Sequence, residues 1–289
     1  VGTQGVRCVV ADEGGKVWAA QSVAFGALNA AEVEGWYEQR PEDWRAAAEE
    51  AIRAFAAQYP DVNMTAAIVP NACSVLTQKL PADAPVLDQR AQIDAIDAVL
   101  SGVQAVNVTD ALRAHSAEAL YYRTDHHWTS LAARYAFEAL APSLGIEDPV
   151  SGYTVYPVSD SFEGTLSAKT GSHAAKDMVS IYVPETDVQY AVTYADTQKT
   201  VCSLYDRAKL AEKNQYEVFF GGNHARVDIR TTADTGRTLL LFKDSYANCF
   251  VQFLTPYYDR ILMIDPRYFY DDLGALLRRE RVTDALILY

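Results

Sequence analysis

Thr238-Leu239-Leu240-Leu241-Phe242-Lys243-Asp244-Ser245-Tyr246-Ala247-Asn248 reads as a short apolar strand, a polar turn and the opening of a helix. A short apolar run closed by a strand-to-helix turn is one β-α step of an alternating pattern. Working outward, a helix over 246–254, a strand over 260–264, a helix near 272–279 and a strand over 285–288 continue the alternation. Upstream, 64–69 is a strand ending at Pro70-Asn71, 89–100 an amphipathic helix, 105–108 a strand and 131–140 a helix stopping before Pro142. The segment 31–58, interrupted by Arg40-Pro41-Glu42, reads as two consecutive helices. The pattern is that of an α/β fold, a mainly parallel central sheet flanked by helices. The exception is 152–216, rich in Ser, Thr, Tyr, Val and Gly with period-two stretches such as 188–194. It reads as a β-rich insertion or lid within a single 1–289 domain.

Composition narrows the function. The 289 residues are 49% hydrophobic and 22% charged, ordinary for a globular chain. With 25 Lys+Arg against 38 Asp+Glu, the net charge of −13 repels phosphate backbones, so nucleic acid is not an expected partner. No apolar run approaches the roughly 20 residues needed to span a bilayer. The chain begins with Val1, so a targeting segment is expected to be absent from it. Cys8, Cys73, Cys202 and Cys249 are scattered with no C-x-x-C pair, reading as buried small hydrophobes, with one or two disulfides the other reading.

Three clusters bear chemistry. In Thr124-Asp125-His126-His127-Trp128-Thr129 an Asp stands two residues before a His, so in an extended stretch the carboxylate reaches and orients the imidazole as a general base. Ser245, at the strand-to-helix turn, is held clear of the sheet where the following amides stabilise an oxyanion; its other reading is a helix cap. Phe219-Phe220-Gly221-Gly222-Asn223-His224 combines a close-approach glycine turn with a neutral amide donor, and alternatively is a hairpin turn. Together they supply a nucleophile (Ser245), base (His127) and orienting acid (Asp125), with Asn223 and the Ser245 backbone N–H as oxyanion donors. His126 and Trp128 read as scaffold, Trp128 also as a site-wall aromatic. Tyr246, Arg267 and Trp128 are candidate substrate contacts, and Phe162-Glu163-Gly164-Thr165-Leu166 with Lys169 and Gly171 a candidate lid turn.

Thr-Asp-His-His-Trp-Thr at 124–129, Gly-Gly-Asn-His at 221–224, Lys-Asp-Ser-Tyr-Ala-Asn at 243–248 and Ile-Asp-Pro-Arg-Tyr at 264–268 resemble the DHHW family of bacterial extracytoplasmic proteins. That family is similar to the alginate O-acetyltransferase branch of the SGNH hydrolase-like superfamily, whose Thr-Asp-x-His-Trp motif and later Ser form a triad. The resemblance implies Asp125, His127 and Ser245 as that triad and an SGNH-like, flavodoxin-like fold with circularly permuted motif order. Lys243 stands where related blocks have Gly, and His126 fills the middle of Asp-x-His. The implied activity is O-acetyl transfer or acetyl-ester hydrolysis on a cell-surface or extracellular polysaccharide through an acetyl-serine. No cofactor is implied; a membrane-bound acetyl donor protein and an extracytoplasmic location are.

Two further readings compete. Metal-dependent phosphoester hydrolysis would draw on Asp125, His126, His173 and His224, although no Asp-x-Asp precedes residue 125. A non-catalytic carbohydrate-binding or assembly protein would use the 18 Tyr and four Trp as stacking surfaces.

Overall fold

The computed structural model describes residues 5–11, 17–24, 29–30, 37–38, 41–100 and 102–289. Its strands in chain order are β1 (Gly5–Ala11), β2 (Val17–Ala24), β3 (Asn29–Ala30), β4 (Tyr37–Glu38), β5 (Asn63–Ala67), β6 (Gln104–Ala105) and β7 (Tyr153–Phe162). They continue with β8 (Asp177–Pro184), β9 (Tyr190–Tyr194), β10 (Thr200–Val201), β11 (Arg226–Thr231), β12 (Thr238–Lys243), β13 (Arg260–Ile264) and β14 (Asp284–Leu288). Eight of them form one sheet in the order β10-β9-β11-β13-β12-β14-β5-β6. The run from β13 to β6 is parallel, and β11, β9 and β10 extend it in antiparallel fashion. β12 is interior, pairing Leu240 with Leu262 on one side and Ala285 on the other.

Alternation along β12 gives each face its own core. Leu239 and Leu241 pack with Leu112, Phe137, Phe250 and Trp128, whereas Leu240 faces Phe55, Leu276 and Leu277. The first face is closed by the helices Thr109–Ala114 and Ser130–Leu140, the second by Pro41–Gln58 and Leu273–Glu280. Leu240 is wholly buried, and truncation to Ala there costs about 2–5 kcal/mol. No helix among the described residues is long and apolar enough to cross a membrane.

Four expectations are revised. The expected helix ahead of Pro41 falls largely outside the described residues, but Tyr37–Glu38 within it is a strand paired with Asn29–Ala30. The strand expected over 105–108 shrinks to Gln104–Ala105, after which Asn107 turns the chain by accepting the Thr109 N–H at 3.0 Å. The helix expected over 246–254 is two 3₁₀ turns, Ser245–Cys249 and Val251–Phe253. Its first carbonyls are taken from outside: Tyr216 Oη–H donates to Ser245 O at 2.9 Å and Trp128 Nε1–H to Tyr246 O at 2.8 Å. The β-rich stretch 152–216 divides, β7 and β8 pairing as a separate hairpin while β9 and β10 belong to the main sheet. Cys73, Cys202 and Cys249 are free thiols; Cys249 is buried, as a small hydrophobe would be, but Cys202 is exposed.

Candidate active site

Ser245 stands at the carboxyl end of β12, the edge where open α/β sheets place their ligands. The Asp244 carboxylate accepts the Tyr246 N–H at 2.9 Å, capping the first 3₁₀ turn and setting Ser245 at its start, partly exposed.

The run 121–128 arrives from the other side as a tight loop. Tyr121 and Trp128 bridge, the Tyr122 N–H donates to His127 O at 3.2 Å, and the Thr129 N–H to Leu120 O at 2.9 Å. Its tip is pinned by the buried Asp177 carboxylate, which accepts from Arg123 N (3.0 Å), Thr124 N (2.7 Å) and the Thr124 hydroxyl (2.6 Å). Asp125 and His127 meet through a bend rather than the expected extended strand, because Asp125 Oδ1 accepts the backbone N–H two residues on, at 3.0 Å.

The three residues then line up. His127 Nδ1 lies 2.5 Å from Asp125 Oδ1, and its Nε2 lies 2.8 Å from Ser245 Oγ. The second Asp125 oxygen accepts the Thr165 N–H at 2.8 Å and the Thr165 hydroxyl at 3.0 Å. Burial of Asp125 works to raise its carboxyl pKa, but the hydrogen bond and charge of His127 and the backbone N–H groups outweigh it, holding the group well below the usual carboxylate range. An ionised Asp125 takes a proton-bearing Nδ1 and leaves Nε2 as the acceptor facing Ser245. Tyr216 stacks on the face of the His127 ring at 3.9 Å and 12°, fixing its plane.

The remaining expected residues separate. His126 points outward with Nδ1 2.7 Å from Thr165 Oγ1; burial and the neighbouring His127 lower its pKa. Trp128 is 0% exposed and its indole N–H is spent on Tyr246 O, so it supports the turn from within and cannot touch a substrate as expected. Tyr246 packs 5.2 Å from His127 and donates its hydroxyl to His126 O at 2.5 Å, tying the two halves of the site together. Arg267 is exposed at the end of β13, but its Nε and Nη2 grip Asp265 at 2.8 and 2.6 Å. Asn223 is exposed, and its Oδ1 accepts from Lys243 Nζ at 3.0 Å and Asn248 Nδ2 at 3.2 Å.

Several participants had no sequence signal. Asp177 and Tyr216 join through contacts 29 or more residues away in the chain, and Thr165 enters from the expected lid turn. Gly164 gave a usable one: within the expected lid turn it is the residue facing Asp125, and a Cβ there would stand 2.3 Å from Asp125 Cβ. Among the described residues, Asp125, His126 and His127 form a group with metal-ligating atoms within 4.8 Å. His173 and His224 do not join it; they pair with Glu163 and Asp196 instead.

A mixed α/β fold, its mostly parallel sheet ending in a hydrogen-bonded Ser-His-Asp chain, is thus the class of protein in hand. The chain belongs to the DHHW protein family, whose pattern matches residues 87–264. A DHHW family protein from Eubacterium siraeum DSM 15702 is similar at 26% identity and TM-score 0.75, over 100% of this chain and 93% of that one. Bacillus cereus PatB1, solved with a sulfonyl adduct, has the same fold at 15% identity and TM-score 0.70, over 98% and 94%. Pseudomonas aeruginosa AlgX shares it more distantly, at 14% identity and TM-score 0.50, over 92% of this chain and 62% of that one. No curated protein sequence matches the chain significantly.

Proposed function

We propose that the protein is a serine-dependent O-acetyltransferase or acetylesterase acting on an extracytoplasmic polysaccharide. The observation that carries this reading is the continuous Asp125–His127–Ser245 hydrogen-bond chain at the carboxyl end of the sheet. In the first half-reaction His127 Nε2 takes the Ser245 proton as Oγ attacks the acetyl carbonyl. The Ser245 N–H and Asn223 Nδ2 stabilise the tetrahedral oxyanion. Collapse expels the donor alcohol, which receives the proton from His127, and leaves acetyl-Ser245. A sugar hydroxyl or water then gives its proton to His127 and attacks the acetyl-serine, releasing the acetylated sugar or acetate. Transfer and hydrolysis share every protein group up to the acyl-enzyme and differ in the acceptor the cleft admits.

Support for the acetyl group, the carbohydrate acceptor and a membrane-bound donor partner comes from the resemblance to the alginate acetylation proteins. The extracytoplasmic location and the SGNH-like permuted motif order rest on the same resemblance, and the reading of the chain as a single domain is supported by the one sheet that joins β5, β6 and β9 to β14. The test is turnover of p-nitrophenyl acetate together with intact-mass and peptide mapping after acetyl-ester or sulfonyl fluoride treatment. Acetyl and sulfonyl groups are expected on Ser245, acetyl accumulating in His127→Ala, with turnover lost in Ser245→Ala. Wild-type turnover by Ser245→Ala, or turnover that vanishes with a chelator and returns with manganese, overturns the proposal.

A further inference from the structure

Resting on the acyl-transfer reading, we infer that Lys243 is a positioning residue that turns the Asn223 side-chain amide so that its Nδ2 hydrogens face outward as oxyanion donors. Lys243 ends β12 on the same face as Leu239 and Leu241, two residues before Ser245, and its side chain is 1% exposed. Its Nζ lies 3.0 Å from Asn223 Oδ1, 2.9 Å from Asn248 Oδ1 and 3.7 Å from Asp265 Oδ2.

An ammonium has three donors and no acceptor, so both amides must present oxygen to it. Asn248, itself buried, uses its Nδ2 to make a second donation to the same Asn223 oxygen, at 3.2 Å. With its oxygen doubly engaged, Asn223 has its Nδ2 directed away, and among the described residues that nitrogen has no hydrogen-bond partner. The turn before it is built for this placement: Gly221 and Gly222 have φ +74° and +116°, values side-chain-bearing residues rarely adopt. The charged groups facing Lys243 are Asp265, Asp244 and Arg267, and Arg267 holds Asp265 in place. Burial pulls the ammonium down to about 8, against the partly restoring charge of Asp265. A methionine would fill the same space without a desolvated charge; what the ammonium adds is direction.

The experiment follows the Asn223 side-chain amide resonances by NMR in the full chain, assigned through their loss in Asn223→Ala, alongside kinetics on p-nitrophenyl acetate. In Lys243→Met the resonances should move and kcat fall about 10- to 100-fold with KM within about twofold, less than the loss of a whole oxyanion donor. Lys243→Met added to Asn223→Ala should cost nothing further. In the wild type the same resonances should titrate with a midpoint near pH 8, a readout that needs no variant to fold. Resonances indifferent to both pH and Lys243→Met overturn the inference whatever the activity, and so do additive kinetic losses. Resonances that move in a wild type inert toward acetyl esters leave the positioning intact and defeat the acyl-transfer reading alone.

Discussion

Replacing Gly164 by Ala should disable the site by displacing Asp125, a residue far away in the chain. Gly164 has φ −88° and ψ −159°, which alanine adopts freely, so the perturbation is steric and not conformational. The added Cβ would lie 2.3 Å from Asp125 Cβ and 2.4 Å from Oδ2, while ordinary contact begins at 3.4 Å. One partner must therefore retreat by about 1.1 Å, the difference between 3.4 and 2.3 Å. A shift of that size lengthens the 2.5 Å Asp125–His127 bond past the normal limit of about 3.2 Å. Loss of the orienting carboxylate lowers kcat by about 10⁴ in serine triads, equivalent to about 5.5 kcal/mol of barrier. The overpacking itself costs about 1–3 kcal/mol of stability. The assay pairs kcat on p-nitrophenyl acetate with thermal unfolding, for Gly164→Ala, Asp125→Asn and the double variant. The two losses should not add, because both remove the same contact. A Gly164→Ala protein with kcat within about threefold of wild type refutes the argument.

Three other outcomes follow from the same contacts. Asp177→Ala strips the acceptor from the Arg123 and Thr124 N–H groups, so urea unfolding should show a loss of about 2–4 kcal/mol with slower sulfonyl labelling of Ser245. Because the folded Asp125 carboxyl lies below its unfolded value, its stabilisation is present above about pH 4 and lost as pH falls toward the folded pKa. Asp125→Asn should flatten that acid limb of the stability profile, and an unchanged limb argues against an ionised Asp125. Lys243→Met sets two effects of similar size against each other at pH 7. Moving an ammonium from 10.5 to about 8 costs roughly 3 kcal/mol at about 1.4 per pH unit, which the variant recovers. The orphaned Asn248 oxygen costs about 1–3 kcal/mol, so denaturant unfolding should show a net change under about 2 kcal/mol. The folded pKa of this group also lies below its unfolded one, so the slope has the same sign as for Asp125 but in a higher window: the wild type gains stability as pH rises from about 8 to 10.5, and Lys243→Met lacks that gain.

What the sequence made legible was local. The apolar run 238–242 marked a strand, and the Asp-x-His spacing marked an orienter and its base; that Ser245 would meet them, 118 residues on, was carried by the motif resemblance. Strand pairing at long separation had no such mark. β9 joins the main sheet through β11, more than 30 residues later, and its alternating pattern would serve an isolated hairpin as well. The 3₁₀ turns after Ser245 were hidden for a related reason: their carbonyls are claimed by Tyr216 and Trp128, and no local propensity encodes a distant donor. Lys243 showed only as a departure from glycine, and its use became apparent with the two amides around it.

The site joins two kinds of support, and this predicts how it fails. Ser245 follows directly on an interior strand with parallel neighbours on both sides, so its position depends mainly on the sheet. His127 and Asp125 sit on a loop whose shape depends on side-chain bonds to Asp177 and Thr165 and on the stack with Tyr216. Those bonds can break while the sheet stays folded. Substitutions on the loop side should therefore lower kcat more steeply than they lower stability, whereas substitutions beneath Ser245, such as Leu240→Ala, should lower stability first. Hydrogen exchange gives an independent measure of the same division, with amides of 121–129 opening well before those of β12, and equal protection in the two segments would contradict it.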